Sequence, residues 1–219
     1  MLKLYGLPLS NYYNIVKQAM LEKGIAFEEV PAPPSQKPEY LAKSPMGKIP
    51  CLETEQGFLS ETSAILEYLE ETHPVPKLYP AATYERAKAR EIQRIAELYL
   101  DAPSRRFLGH IFFGAPLSEE AKGEVRADVE KGLAALGRVA RFEPWVAGKD
   151  FSYADIVLLY CLGLTRSMMN AVYQWDPLQN EPELRAWLQL ASERDHSRQL
   201  LAAQQQAIMD MKAGKKPTP

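Results

Sequence analysis

Two hydrophobic patterns divide the chain. In the first, short apolar runs alternate with helical spacing. Leu2–Tyr5 reads as a strand, and Asn14–Lys23 places Ile15, Val16, Ala19 and Met20 three and four residues apart, predicting a helix that Gly24 ends. Phe27–Val30 predicts a second strand, residues 31–38 a proline-rich loop, and Ile49–Glu53 with Gly57–Ser60 a hairpin. Thr62–Thr72 carries Ile65, Leu66, Tyr68 and Leu69 on one side, as an amphipathic helix does. Strand, helix, strand, an irregular stretch, then strand, strand, helix predicts a small mixed sheet with helices on its faces.

The second pattern begins after Pro74, Pro76 and Pro80 and is helical throughout. Tyr84–Arg106, Glu119–Arg141, Tyr153–Met169, Glu181–Ser192 and His196–Lys212 each repeat apolar residues at helical intervals. The expected organisation is α/β followed by all-α: a first domain over 1–77, a linker over 78–84, a helical bundle over 85–212 and a small, basic, disordered tail over 213–219. Within the bundle, Phe151-Ser-Tyr-Ala-Asp155-Ile156 has the form of a capping box. Ser152 would accept from the Asp155 N–H, Asp155 would reach back to the Ser152 N–H, and Phe151 would pack on Ile156. One such cap contributes about 1 kcal/mol.

Composition narrows the function. The chain has 219 residues, 46% of them hydrophobic, and a formal net charge of -2, which gives no electrostatic reason to expect a nucleic-acid or membrane partner. No apolar run approaches the ~20 residues of a bilayer span, and no basic segment with an apolar core suggests export. Cys51 and Cys161 lie far apart among apolar neighbours, which favours buried thiols in a reducing, cytoplasmic setting over a disulfide. His73, His110 and His196 lack ligand spacing, so no metal is expected. Strand alternation turns Cys51 toward the core, a structural place.

Two segments carry chemistry. Ser44-Pro-Met-Gly-Lys-Ile-Pro-Cys-Leu52 sets Pro50 where a strand should begin, a candidate cis peptide that exposes the preceding backbone. Glu61-Thr62 opens a helix with an acid and a hydroxyl, where free N–H groups meet anions. Singly, Glu61 reads as a dipole complement, Thr62 as first-turn filler and Lys48 as a solvated turn charge. As a spaced constellation they suggest a site that grips a small peptide by its backbone and carboxylate.

These residues resemble the cytosolic glutathione transferases over nearly the whole chain. The resemblance rests on Leu4-Tyr5-Gly6 with Ser10, on Pro45 and Gly47-Lys48-Ile49-Pro50, on Leu59-Ser-Glu61-Thr62-Ser-Ala-Ile65-Leu-Glu-Tyr-Leu69, and on Gly148 with Ser152-Tyr-Ala-Asp155. It implies a thioredoxin-like N-terminal domain, an all-helical C-terminal domain, glutathione as co-substrate and a homodimer. It also implies that Pro50 is cis and that the Ile49 backbone pairs with the cysteinyl part of glutathione like an added strand. Glu61 would take the γ-glutamyl ammonium, Thr62 (more often serine in the family) its α-carboxylate, and Lys48 with Lys37 the glycyl carboxylate.

Chemistry then turns on the thiol. A free thiol with pKa ~8.5 must be lowered by about two units, roughly 2.7 kcal/mol, to ionise at neutral pH. Ser10, in the turn before the first helix where serine-type members carry their hydroxyl, ranks first as donor, then Asn11, then Tyr5, where tyrosine-type members carry a phenol. The 8–14 turn has no cysteine, unlike the cysteine-type branches. Pro8-Leu-Ser10-Asn11 is also similar to a bacterial branch that reduces disulfides with two bound glutathiones. The acceptor pocket would draw on Tyr12, Tyr13, Tyr99, Arg105, Arg106 and Phe107, although Tyr12 and Tyr13 equally suit the domain junction. The expected function is a glutathione transferase acting on an electrophilic small molecule. The alternatives are a glutathione-dependent disulfide or peroxide reductase, and a non-catalytic regulatory protein of the same fold.

Overall fold

The computed structural model describes residues 1–215, so the last four residues of the expected tail lie outside the described residues. The chain forms two compact units: Met1–Leu78 with the segment from Arg194 onward, and Tyr79–Glu193.

In the first unit, β1 (Leu2–Gly6), β2 (Phe27–Pro31), β3 (Cys51–Thr54) and β4 (Gly57–Ser60) form one sheet in the order β2-β1-β3-β4. β1 and β2 run parallel, joined by α1 (Asn11–Glu22) as such a crossover needs. β3 runs antiparallel to both β1 and β4. Leu4 and Leu52 are register partners on one face and are fully buried, as are Ile15, Val16, Ala19 and Met20 of α1 and Ile65, Leu66 and Leu69 of α3 (Thr62–Thr72). Tyr5, Ala32 and Cys51 form a separate cluster with Val30 and Tyr40. Burial pushes the Cys51 thiol up to about 11, so it is an inert core group.

Three boundaries differ from the sequence reading, each for a local reason. α1 starts at Asn11 because Ser10 caps it: the Ser10 Oγ accepts from the Tyr13 N–H at 3.3 Å, and Tyr13 at that position supplies no return acid to betray the cap in sequence. β3 starts at Cys51 because Pro50 has no N–H for the ladder. The proline-rich segment ends in a short helix, α2 (Pro38–Leu41), since proline suits a first helical turn.

The first unit also takes in the chain's last helix, α10 (Asp195–Lys212). It is tied to α1 by Arg194 to Glu22 at 2.6 Å and by Gln18 to Ser197 at 2.8 Å. Beyond α10, Lys215 pairs with Asp210 at 3.0 Å.

The second unit holds α4 (Thr83–Ile95), α5 (Ala102–Arg105), α6 (Leu108–Phe113), α7 (Glu119–Val139), α8 (Tyr153–Tyr173) and α9 (Pro182–Glu193). The single helix expected over Tyr84–Arg106 is interrupted by a π-helical segment at Ala96–Asp101, where the Ala102 N–H bonds back to the Glu97 carbonyl. Pro103 explains the widening: it cannot donate to the carbonyl four residues back, and its ring would collide with that carbonyl in a regular helix. α7 approaches this segment at Gly132, where a Cβ would overlap the Tyr99 carbonyl.

α8 is long and apolar enough to cross a membrane by length and composition, where no such run was expected, but 56% of its most apolar window is buried inside the protein, as in a core helix. Its N-terminus carries the expected capping box, with the Ser152 N–H donating to Asp155 Oδ2 at 2.9 Å. Asp155 does more than cap. Its Oδ1 accepts from the Val146 N–H and from Trp187 Nε1, both at 2.8 Å. The Phe151 ring lies edge-on to Trp145, with centroids 4.9 Å apart.

Candidate functional site

The register gathers the candidate residues at one end of the sheet. Tyr5 pairs with Cys51 and Cys51 with Ser60, so the end of β1, the start of β3 and the end of β4 share an edge. Gly6 leads from that edge into the Leu7–Ser10 loop, Ile49 and Pro50 precede Cys51, and Glu61 and Thr62 follow Ser60. Three segments distant in sequence are thereby neighbours.

The Ile49–Pro50 bond is cis. The peptide before it is held by its carbonyl: Lys48 O accepts from Ser44 Oγ at 2.8 Å and from the Tyr40 hydroxyl at 3.4 Å. Among the described residues the Ile49 N–H and C=O have no hydrogen-bond partner. They are an unpaired donor and acceptor beside a sheet, which an extended peptide can use. Gly47 makes the turn before them possible. It has φ +65°, and a Cβ there would overlap the Ser35 carbonyl.

Glu61 stands at the N-cap of α3 with φ 68°, a region that costs a non-glycine residue conformational energy. It makes no side-chain cap bond, its carboxylate is exposed, and α3 has no further acid in its first turn. Thr62 is 7% exposed, and its hydroxyl has no partner among the described residues. Lys48 and Lys37, the latter at the N-cap of α2, are exposed and lack side-chain partners among the described residues. The segment thus offers an anion, a helix N-terminus with a hydroxyl, and two cations. That set complements a peptide carrying an ammonium and two carboxylates.

The loop before α1 supplies the remaining chemistry. As N-cap, Ser10 uses an oxygen lone pair on the Tyr13 N–H and keeps its own hydrogen to donate. No acidic side chain lies in the first turn of α1, so dipole and hydroxyl both favour an anion at this point. Asn11, beside it, is buried and engaged.

Tyr5 is differently committed. Its hydroxyl donates to the Glu53 carboxylate, and its ring packs edge-on to Phe58 with Lys43 Nζ 4.6 Å above it. The bond to Glu53, with burial, pushes the phenol up to about 12, away from a role as proton donor to a thiolate.

The residues expected around the acceptor have varied places. Tyr13 is 2% exposed, its ring against Gly6 where any Cβ would overlap it and its hydroxyl donating to Glu29. It is core packing in the first unit and has almost no surface to offer an acceptor. Tyr12 is half-buried, and Tyr99 projects outward from the π segment at 52% exposure. Arg106 pairs with Glu124 at 2.9 Å, Arg105 holds the buried Asp101, and Phe107 is buried edge-on to Tyr173. Among the described residues no group of three or more His, Cys, Asp or Glu is placed to hold a metal ion.

Sequence reasoning missed the residues that brace the site. Ser44 and Tyr40 fix Lys48, while Asn14 holds the Pro8 carbonyl through Nδ2 at 2.7 Å. Asn14 and Gln18 were detectable as polar residues on the apolar stripe of α1, where burial requires a partner.

Both halves of the chain have counterparts among known proteins. Residues 4–77 match the family model for the glutathione S-transferase N-terminal domain, and residues 82–190 match that for the C-terminal domain. A glutathione S-transferase of Pseudomonas putida is 43% identical, over 99% of this chain and 100% of its own. A glutathione S-transferase structure from Rhodospirillum rubrum, 27% identical, superposes with a TM-score of 0.75 over 92% of each chain. Human glutathione transferase theta-2, solved with glutathione and an unknown ligand, is 21% identical and shares the fold at a TM-score of 0.81, over 100% of this chain and 93% of its own.

Proposed function

The chain belongs to the glutathione S-transferase family, and from that premise we propose that its Ser10 hydroxyl activates the thiol of bound glutathione. The protein is a glutathione transferase, an enzyme with a thioredoxin-like domain followed by a helical domain. The unpaired Ile49 backbone beside Pro50, next to the α3 N-terminus, carries the binding mode.

In this reading glutathione lies along the sheet edge as a short added strand, its cysteinyl N–H and C=O on Ile49. Its γ-glutamyl carboxylate meets the Thr62 hydroxyl and the α3 N-terminus, its ammonium meets Glu61, and its glycyl carboxylate meets Lys48 and Lys37. Fixing both ends of the peptide leaves the thiol at the Ser10 loop. There the hydroxyl donates to the sulfur, the α1 dipole adds to it, and the thiolate fraction rises at neutral pH. The thiolate then attacks an electrophilic centre of the acceptor, the new bond to sulfur forming as the leaving group departs with its electron pair. Asn11 stands second as donor and Tyr5 third, its hydrogen being engaged by Glu53.

The family's usual homodimer, a cytoplasmic location and a role in detoxification complete the proposal. The two buried, unpaired thiols fit a reducing compartment. Light scattering at micromolar concentration tests the dimer. A thermal shift with millimolar glutathione tests binding, because a ligand of the native state alone raises stability by RT ln(1 + [L]/Kd). No shift contradicts the proposed site. Turnover on a chloronitrobenzene, an isothiocyanate, an organic peroxide and a small mixed disulfide then identifies the acceptor class.

A further inference from the structure

The Ser10 loop is tied down carbonyl by carbonyl. Leu7 O accepts from the Ser10 N–H at 3.0 Å, Pro8 O from Asn14 Nδ2 at 2.7 Å, and Ser10 O from the Asn14 N–H at 3.1 Å. The remaining carbonyl, that of Leu9, is held from outside the loop and from the far end of the sequence: Gln204 Nε2 on α10 donates to it at 3.4 Å. This contact is the third of a series along the helix. Arg194 meets Glu22, Ser197 meets Gln18, and Gln204 meets Leu9, so α10 runs antiparallel to α1 and ends its run of contacts at the Ser10 loop.

The position of that last contact matters. The Leu9 C=O and the Ser10 N–H are the two ends of one peptide plane. Leu7 fixes the N–H end and Gln204 the C=O end, so the plane cannot rotate about the chain, and the direction of the Ser10 Cα–Cβ bond is set with it.

We infer that α10 belongs to the thiol-activating machinery and that Gln204 is a positioning residue for Ser10. This inference rests on Ser10 being the donor to the glutathione thiol. Gln204 touches neither glutathione nor acceptor in this scheme. It acts on the apparent pKa of the bound thiol through the loop, and substrate affinity is untouched.

The test titrates the thiolate absorbance of enzyme-bound glutathione against pH in wild type, Gln204→Met, Gln204→Ala and Gln205→Leu, and in Ser10→Ala with and without Gln204→Met. Gln205 is an exposed neighbour on the same helix and serves as control. Both Gln204 variants are expected to raise the apparent pKa by roughly half a unit, which is about threefold less thiolate below the pKa. The KM for glutathione and the melting temperature stay at wild-type values, and Gln205→Leu changes nothing. In the Ser10→Ala background, Gln204→Met adds no further shift, because the group it positions is gone. A wild-type pKa in both Gln204 variants, or a Gln204 shift that persists without Ser10, overturns the inference while leaving Ser10 as donor intact. A wild-type pKa in Ser10→Ala alone overturns the Ser10 reading itself and the inference with it.

Discussion

Removing the Asp155 carboxylate should destabilise the helical unit far more than the loss of a helix cap. A lone N-cap contributes about 1 kcal/mol. Asp155, however, is fully buried and accepts from three N–H groups that have nowhere else to go: Val146 N–H, Ser152 N–H and Trp187 Nε1. Val146, Ser152 and Trp187 are each no more than 2% exposed. A buried donor left unsatisfied costs about 1–3 kcal/mol. Some relaxation and water entry will soften the total, which points to about 3–6 kcal/mol for Asp155→Ala. That is a large share of the roughly 5–15 kcal/mol that holds a typical protein folded. Because α8, α9 and the loop carrying Val146 all meet at this one side chain, the loss is expected as a lowered denaturant midpoint for the whole unit. Asp155→Asn keeps one acceptor oxygen and should fall between wild type and Ala. Urea titrations followed by tryptophan fluorescence make the measurement, with Trp187 itself as reporter. A cost for Asp155→Ala of about 1 kcal/mol or less would show that the two extra bonds contribute nothing.

Three further outcomes each follow from a single side chain. Lys23 Nζ meets Glu70 at 2.7 Å and the carbonyls of His73 and Pro76 at 2.8 Å, with no side-chain exposure. Lys23→Met should therefore cost about 3 kcal/mol by leaving Glu70 without its cation, as read from denaturation midpoints. Tyr5→Phe removes a hydroxyl engaged by Glu53, so kcat/KM at neutral pH should stay within about twofold of wild type; a larger loss would return the phenol to the reaction. Glu61→Gln keeps the shape at the α3 N-cap and removes the charge proposed to meet the γ-glutamyl ammonium. The KM for glutathione should rise about tenfold with kcat little changed, the size of one charge-assisted hydrogen bond.

Much of this molecule could be read in its residues because local signals and tertiary demands coincide. β4 and α3 have the predicted limits, since Gly57 and the Glu61-Thr62 start punctuate them sharply. The box at Ser152–Asp155 was equally legible. Its energetic weight was not, because Val146 and Trp187 reach Asp155 only through the fold. The π segment follows from Pro103, but only if the helix continues through the proline; the pattern of apolar residues alone runs straight past it. For the candidate site, residue type and order pointed to Pro50, Glu61 and Ser10, because their chemistry is local. What holds them did not show: Ser44 and Tyr40 on Lys48 O, Asn14 and Gln204 on the loop. Such bonds join side chains to distant backbone carbonyls, and no sequence period encodes them. Tyr13 misled for the opposite reason. An aromatic beside a candidate catalytic turn suggests a substrate wall, yet the absence of a side chain at Gly6 lets that ring sink into the core.

The central claim is that the Ser10 hydroxyl, spent as an acceptor in the α1 cap and free as a donor, lowers the pKa of the glutathione thiol. Titrating the thiolate absorbance of bound glutathione in wild type and Ser10→Ala tests it most directly. The expected wild-type value lies roughly two units below the ~8.5 of a free thiol, with a rise of at least about one unit in Ser10→Ala and glutathione affinity nearly unchanged. An identical titration curve for the two proteins would contradict it.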